Sequence, residues 1–313
     1  MEVLQMLFKV LLFPGFLFLT SYAFAAEYID RKLHARMQNR KGPKWYIPFA
    51  DFFKLIGKQT IIHDDAHAGI IKAMPVVSLA GVATAFIYIP VVGSSAVFSF
   101  EGDIIIVLYF LSLPVLTQFL AGWYSRSLYA TIGASRVITQ MFAYEVPLFM
   151  CLLAPSLIAN TWSVSGITQY YSEHPLYALI NLPAFAVALI TVQSKLSKAP
   201  FDAPEAETEI VSGPYVEYTG RPLAFFRMSA DCEEVVLISL VSAIFLPFLS
   251  GNAVIDVILY FVKTLAILFV LTLMRTVTAR LRVNQTVTLC WRYLVPAALL
   301  QMIVNLIVRG WLA

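Results

Sequence analysis

Eight apolar runs separated by polar connections make up most of the chain. Most of these runs are close to the roughly 20 residues that a helix needs to cross the hydrocarbon core of a bilayer. We therefore predict an all-α, polytopic membrane protein, a bundle of about eight transmembrane helices forming a single transmembrane domain over residues 1–313 without a soluble domain. The runs cover residues 3–26, 70–92, 104–123, 137–158, 176–192, 235–249, 253–274 and 294–308.

The first polar connection contains a shorter apolar pattern. Apolar residues recur there at helical spacing while charged residues fall on the opposite face, and Pro48 and Gly57 suit the two boundaries. This arrangement predicts a short amphipathic helix lying on the membrane surface. The apolar set is Phe49, Phe52, Phe53 and Ile56, and the charged set is Asp51, Lys54 and Lys58.

Composition and charge placement support a membrane protein with a defined orientation. Hydrophobic residues make up 59% of the chain and charged residues 13%, whereas a soluble domain has about 45–50% and about 25%. Every odd-numbered connection contains Lys or Arg and every even-numbered one contains neither. The positive-inside rule then predicts cytoplasmic odd connections and both termini outside. The net charge of +3 is too small to suggest a nucleic-acid partner.

The cysteines and histidines do not form a recognisable cofactor site. The cysteines lie far apart and the histidines fall in polar stretches, so we predict no iron–sulfur cluster, haem or metal in this chain. His63 and His67 are four residues apart, but the order between them is not that of H-E-x-x-H and the flanks predict a loop. Electron carriers are therefore expected in partner subunits. The residues considered are Cys151, Cys232, Cys290, His34, His63, His67 and His174.

Glu145 is an ionisable residue inside an apolar run. Together with Gln140 and Tyr144 it brings polarity into the fourth predicted span, where an unpaired charge costs about 2.5–3.5 kcal/mol on insertion scales. Two interpretations stay open. A desolvated carboxyl can exchange protons near neutral pH, or it can form a structural hydrogen bond to a neighbouring helix.

The fifth connection holds five carboxylates within sixteen residues. A helix first turn after Pro204 would account for Glu205 and Glu207, but not for the like-charged pair Glu205 and Glu209, which is unfavourable at i, i+4. Crowded carboxylates titrate as a coupled group, as a proton reservoir at a membrane entrance should. The five are Asp202, Glu205, Glu207, Glu209 and Glu217, and Asp231, Glu233 and Glu234 stand at the mouth of the next span.

Four ordered blocks along nearly the whole chain resemble the family of respiratory complex I membrane proteins known as the H-subunit or subunit 1 family. They are DRK at 30–32 with MQNRKGP at 37–43, AD at 50–51 and KL at 54–55; LAGWYS at 120–125 with YA at 129–130 and QMFAYEV at 140–146; APFD at 199–202 with PEAE at 204–207 and EYTG at 217–220; and RLR at 280–282 with WR at 291–292.

This resemblance implies an eight-helix heel of a membrane arm onto which a hydrophilic electron-transfer arm docks. It implies that the proton path comprises Glu145, Asp202, Glu205, Glu207, Glu209, Glu217, Glu233 and Glu234. The basic first connection would seat the hydrophilic arm through Arg31, Lys32, Arg36, Arg40, Lys41, Asp51 and Lys54.

Departures from the family pattern indicate a branch. Only residues 44–49 separate the Gly-Pro and Ala-Asp elements, whereas quinone-using relatives have a longer stretch, and Lys195 and Lys198 replace the family's Glu and Arg. The chain thus resembles the membrane anchor of energy-converting nickel–iron hydrogenases and of sulfane reductases. The resemblance implies a ferredoxin-oxidising, ion-translocating complex in a prokaryotic plasma membrane.

Partners and alternatives follow from the same resemblance. The implied partners are a hydrogenase-like large subunit, an iron–sulfur small subunit and antiporter-like membrane subunits, with iron–sulfur clusters and a nickel–iron centre in those partners and no cofactor or redox centre in this chain. One alternative is the quinone-binding H-subunit of complex I. Another is a stand-alone proton-coupled transporter, which would favour internal repeats, and the sequence shows none.

Overall fold

The computed structural model describes residues 2–63 and 66–312, and these residues fold as helices joined by connections without extended strands. The first seven helices are α1 (Glu2–Leu11), α2 (Phe16–Met37), α3 (Ile47–Gly57), α4 (Ala68–Ile87), α5 (Asp103–Tyr124), α6 (Leu128–Ala159) and α7 (Val164–Glu173). The others are α8 (Pro175–Ile180), α9 (Leu182–Lys195), α10 (Glu207–Ile210), α11 (Arg221–Phe245), α12 (Ala253–Val277), α13 (Val283–Leu289) and α14 (Val295–Leu312).

The predicted all-α, polytopic membrane fold is confirmed. Six helical segments within the described residues are long and apolar enough to cross a membrane: α1 with α2, α4, α5, α6, α12, and α13 with α14. The fifth apolar run folds as two short helices, α8 of 6 residues and α9 of 14 residues. The sixth run lies in α11, which has 25 residues but carries charges in its first half. Helices α9 and α11 pack among the long helices.

Two helices extend well beyond their apolar runs. Helix α2 continues to Met37, although the first run ends at residue 26, and α6 begins at Leu128, nine residues before the fourth run. A change in hydropathy indicates where the apolar run ends. The helix itself can continue into polar sequence, because its backbone hydrogen bonds do not depend on apolar side chains. The polar ends of these helices therefore project beyond the apolar layer and position the charged side chains described below.

Helix α3 lies at the predicted place. Phe49 and Phe52 pack on Phe24 of α2, with ring centroids 4.8 and 5.5 Å apart. Leu55 completes the face against the bundle at 6% exposure, whereas Phe53 is 68% exposed. Positions i, i+3 and i+6 of α3 therefore contact the bundle, and the contact of Phe53 with the membrane surface stays a prediction.

The connections gather at two ends of the bundle. The Ile61 amide donates to Thr219 Oγ1 (3.0 Å), joining the first and fifth connections, and the Leu281 amide donates to the Pro200 carbonyl (2.9 Å), joining the seventh to the fifth. At the other end the Ala96 amide donates to Ser165 Oγ, joining the second and fourth. The first, fifth and seventh connections, which are all basic, thus meet at one end of the bundle. The assignment of that end to the cytoplasm stays a prediction.

Helix α11 occupies the centre of the bundle. It contacts α2, α3, α4, α5, α6, α7, α9 and α12, and nearly every residue from Cys232 to Phe245 is buried. Because this helix is surrounded by protein, its carboxylates at residues 231, 233 and 234 face other helices rather than lipid. The position of α11 therefore determines where the functional site can form.

Candidate functional site

A cavity of about 550 Å³ opens at the end of the bundle where the basic connections meet. We call it the charged cavity, because twelve ionisable side chains, seven carboxylates and five cations, line it. They come from the ends of α2, α9, α11 and α12 and from the fifth and seventh connections. The twelve are Glu27, Asp30, Arg31, Lys195, Lys198, Asp202, Glu205, Asp231, Glu233, Glu234, Arg275 and Arg280.

Lys198 joins two buried carboxylates on different helices. Its Nζ lies 3.0 Å from Asp30 Oδ2 and 2.5 Å from Glu234 Oε1. Arg275 Nη1 (2.8 Å) and Thr272 Oγ1 (2.6 Å) also donate to the Asp30 carboxylate. Burial alone would lower the pKa of Lys198, but the adjacent Glu234 and Asp30 carboxylates raise that pKa above its ordinary value. Lys198 is therefore a cation at any physiological pH.

A second buried ion pair connects the charged cavity to α6. Lys195 Nζ lies 3.1 Å from Glu233 Oε1 and donates to the Leu111 carbonyl of α5 at 2.6 Å. The same Nζ lies 5.7 Å from the ring centroid of Tyr144, within the range of a cation–π interaction. Tyr144 is 2% exposed and precedes Glu145 in α6. Lys195 therefore stands between a cavity carboxylate and the helix that carries Glu145.

Gln140 holds the fifth connection against α6. Its Nε2 donates to the carbonyls of Ser194 and Phe201, both at 2.8 Å. Nearer the start of α6, the backbone of the fifth connection packs directly on Gly133. Only glycine allows this contact, because a Cβ there would lie 2.7 Å from Gly213 and Pro214. Because both contacts pin the connection on α6, the carboxylates that precede Gly213 are held at the cavity mouth.

Glu205 is a cavity carboxylate whose pKa is raised towards neutrality. Enclosure by protein raises the pKa of Glu205 to about 7, and a hydrogen bond from Gln118 Nε2 (3.1 Å) and the Arg227 charge oppose that rise. Its side chain remains accessible to water inside the cavity. Glu205 can therefore exchange a proton with the cavity at physiological pH.

Asp202 and Glu209 turn towards arginines at the rim. Arg280 Nε lies 2.9 Å from Asp202 Oδ1, and Arg136 Nη1 lies 2.6 Å from Glu209 Oε2. The hydrogen bond and charge of Arg136 lower the pKa of Glu209. Glu205 and Glu209 do not share a helix face, because a 3₁₀ turn over Ala203–Glu205 ends before α10 begins. The like-charge repulsion expected from their spacing is thereby relieved.

The other predicted proton-path residues lie at different distances from the charged cavity. Glu233 and Glu234 line it, whereas Glu145 is half-buried in the middle of α6 and Glu217 is half-buried in the fifth connection. The side chain of Glu207 lies outside what the structure describes, as do Asp64 and Asp65 between the two histidines weighed as a metal site. Among the described residues no group of His, Cys, Asp or Glu has the geometry to hold a metal.

One of the predicted docking residues, Arg31, lines the charged cavity. It pairs with Glu27 and with Asp51, whose Oδ2 is 3.6 Å from Nη1, and the second pair joins the end of α2 to α3. Asp51 also accepts from Lys54 of the same helix at 3.2 Å. The remaining members lie on the surface of the same end: Lys32, whose Nζ donates to the Tyr28 hydroxyl, and Arg36, Arg40 and Lys41, which are exposed.

The predicted proton path left out several ionisable residues that line the charged cavity, among them four at the ends of apolar runs. Glu27, Asp30, Asp231 and Arg275 line the charged cavity, but none entered the predicted proton path. A usable signal was present, since all four stand where an apolar run gives way to polar residues at the basic end. Their convergence depends on contacts between residues up to 245 positions apart, as for Asp30 and Arg275.

An all-α bundle with twelve ionisable side chains in one cavity at its basic end defines a polytopic membrane protein with a charged interior. The chain belongs to the NADH dehydrogenase family, whose model matches residues 9–306. It is 32% identical over 93% of its length to NADH-quinone oxidoreductase subunit 8 of Thermus thermophilus, covering 83% of that protein. It is 31% identical over 89% of its length to the NADH-quinone oxidoreductase H-subunit of Rhodospirillum rubrum, covering 86% of that protein.

A solved structure matches more completely. The chain resembles a subunit of the membrane-bound sulfane sulfur reductase, an archaeal respiratory membrane complex, with a TM-score of 0.83 and 26% identity. The match covers 97% of this chain and 99% of that one. The predicted resemblance to the H-subunit family, in the branch near sulfane reductase, is confirmed. The chain is thus a membrane subunit of an oxidoreductase complex.

Proposed function

We propose that this chain is the membrane anchor and coupling subunit of a ferredoxin-oxidising, ion-translocating complex of the membrane-bound hydrogenase or sulfane reductase type. The basic end seats a hydrophilic arm made of a hydrogenase-like large subunit and an iron–sulfur small subunit. Those partners hold the iron–sulfur clusters and a nickel–iron centre, and antiporter-like subunits continue the membrane arm. This chain links redox events in the hydrophilic arm to proton or sodium translocation without performing a redox step.

The observation that carries this proposal is the continuity of ionisable groups from the surface to α6. Arg31 joins the docking surface to the charged cavity, and the cavity leads through Glu233 and Lys195 to the Tyr144 ring beside Glu145. Inside a low-dielectric bundle, a charge change at one of these groups acts strongly on its neighbours. A redox-linked charge at the cavity mouth can therefore shift protonation deeper in the bundle.

The short first connection and the lining of the charged cavity support the branch without quinone. The shortened segment 44–49 runs from the connection after α2 into the first turn of α3. A quinone ring is apolar and prefers a largely apolar pocket, but half of the side chains that line the charged cavity are ionisable.

The alternative within the family is a quinone-binding subunit of complex I, which the names of the sequence relatives favour. Purification of the complex distinguishes the two. Nickel with iron–sulfur subunits supports the hydrogenase type, whereas flavin and NADH-binding subunits support complex I. A chain that purifies alone would instead indicate a stand-alone proton-coupled transporter and would contradict the proposal.

Glu145→Gln tests the proton-path role directly. The substitution keeps the shape of the side chain and removes its charge and titration, so assembly and electron transfer in detergent should persist. In membrane vesicles, the ion gradient built per electron pair from ferredoxin oxidation should fall severely. Glu173→Gln is the matched control, because Glu173 is an exposed glutamate at the opposite end whose Oε1 accepts only from Gln169 among the described residues. A full gradient in Glu145→Gln vesicles would show that Glu145 has a structural role only.

A further inference from the structure

A second cavity, of about 600 Å³, lies outside the charged cavity where the end of α3 meets the first turns of α4 and α11. We call it the basic groove, because Lys58, Lys72 and Arg221 line it. All three side chains are exposed. Among the described residues, no carboxylate lines the groove and none forms an ion pair with these cations. The groove therefore presents net positive charge at the basic end of the bundle.

Each of two adjacent helices places a cation at the mouth of the groove and an apolar side chain one turn further in. On α4 the pair is Lys72 and Val76, and on α11 it is Arg221 and Phe225. Four residues along a helix correspond to about 6 Å. The groove is therefore polar at the level of the membrane surface and apolar where it reaches the hydrocarbon layer.

The N-terminus of α11 adds to this positive field. Helix α11 begins at the groove with Arg221, and it packs against α4, which lines the groove from Lys72 onward. Unpaired amide groups and the aligned peptide dipoles place partial positive charge at a helix N-terminus. The cations and this helix terminus together make the mouth of the groove complementary to a phosphate group.

The rim of the groove is fixed by backbone contacts. The Ile61 amide donates to Thr219 Oγ1 at 3.0 Å, and Thr219 Oγ1 donates to the Ile61 carbonyl at 3.3 Å. Gly220, with φ +64°, allows the chain to pass so close to Lys58 and Gln59 that a Cβ there would lie 2.9 Å from both carbonyl oxygens. The groove is thus preformed and does not need a ligand to assemble it.

We propose that the basic groove binds an anionic phospholipid, with its phosphate among Lys58, Lys72 and Arg221 and its chains along Val76 and Phe225. Basic pockets between transmembrane helices on the cytoplasmic side are suited to acidic headgroups. Free phosphate would use only the cations, but the groove also has an apolar wall of Phe225 and Val76, which is 54% exposed. An amphiphile uses both halves of the groove.

Native mass spectrometry of the purified complex tests lipid retention. The wild-type complex, delipidated and returned to phosphatidylglycerol or phosphatidylcholine, should retain one phosphatidylglycerol per copy of this chain in preference to phosphatidylcholine. Lys72→Gln with Arg221→Gln should weaken retention about 25-fold, because each cation near an anionic lipid contributes about fivefold. Lys44→Gln with Arg292→Gln, which removes two exposed cations outside the groove, should leave retention unchanged. Equal retention by both double variants would overturn the proposal.

Photocrosslinking identifies the occupant in the intact complex even if the charge variants fail to assemble. A benzophenone amino acid at Val76 should yield an adduct with the mass of a phospholipid when the wild-type complex is irradiated in phosphatidylglycerol vesicles. Millimolar inorganic phosphate should not reduce this adduct. An adduct with another protein subunit would show that the groove is a protein interface, and loss of the adduct in phosphate would show that it binds a free anion; either result overturns the proposal.

Discussion

Replacing Lys198 by Met tests whether the buried charges of the cavity depend on one another. Lys198 Nζ contacts both Glu234 and Asp30, whose side chains are only 4% and 3% exposed. Asp30 keeps its bonds from Arg275 and Thr272 after the substitution, whereas Glu234 loses the only hydrogen-bond donor that contacts it among the described residues. The cost therefore falls mainly on Glu234.

The burial of Lys198 sets the size of the expected loss of unfolding free energy in Lys198→Met. Removing one partner of a buried ion pair costs about 3–5 kcal/mol, because the other charge is left uncompensated. Lys198 is 20% exposed to cavity water, which places the expected loss of unfolding free energy at the lower end, about 3 kcal/mol. Adding Glu234→Gln removes the orphaned charge, so the double variant should regain most of that loss.

Unfolding in mixed micelles of increasing SDS content, followed by fluorescence of the five tryptophans, gives these free energies. Lys54→Met is the matched control, since Lys54 also pairs with a carboxylate but is 61% exposed, and surface pairs contribute about 0–1 kcal/mol. The reasoning is refuted if Lys198→Met costs no more than Lys54→Met. It is also refuted if adding Glu234→Gln to Lys198→Met restores nothing.

Two further predictions concern Glu205 and the orientation of the bundle. The pKa of Glu205 in the folded chain is about 7, against an ordinary value of 4.5, so the ionised form is disfavoured by folding and stability falls as pH rises from about 4.5 to 7. Glu205→Gln should raise the thermal midpoint clearly at pH 8 and only slightly at pH 5, and an equal gain at both would contradict this. In a chain lacking its three cysteines, single cysteines at Lys44 and Thr208 should be labelled from the cytoplasm and one at Ser95 from outside; the reverse would overturn the positive-inside assignment.

The helices were predictable from sequence because hydropathy is a local property. Each span can be recognised within a window of about 20 residues. The alternation of basic connections indicates which connections lie at the same end of the bundle. The pairing of charges is not local. Lys195 occurs in a basic connection and would be expected in water, yet it is 6% exposed, since Glu233 and the Leu111 carbonyl, 38 and 84 residues away, surround its ammonium.

The non-local pairing of charges also explains why the partners of the carboxylates in the fifth connection could not be predicted. Their density within sixteen residues predicted one coupled cluster, but the structure divides them between partners on different elements. Glu205 contacts Gln118 of α5 and Asp202 contacts Arg280, while Glu209 contacts Arg136 of α6. Spacing along the chain cannot show which partner each will meet, because the 3₁₀ turn at Ala203–Glu205 changes the direction of the chain between them.

Stability does not explain why a membrane bundle keeps so many buried charges. Replacing a whole buried ion pair by apolar residues of similar volume is often neutral or stabilising. The pairs formed by Lys195 with Glu233 and by Lys198 with Glu234 are therefore costly features that folding does not require. Their retention supports a role in charge movement. The double variant Lys198→Met with Glu234→Gln separates the two roles, since it should be nearly as stable as the wild type and yet build a smaller ion gradient.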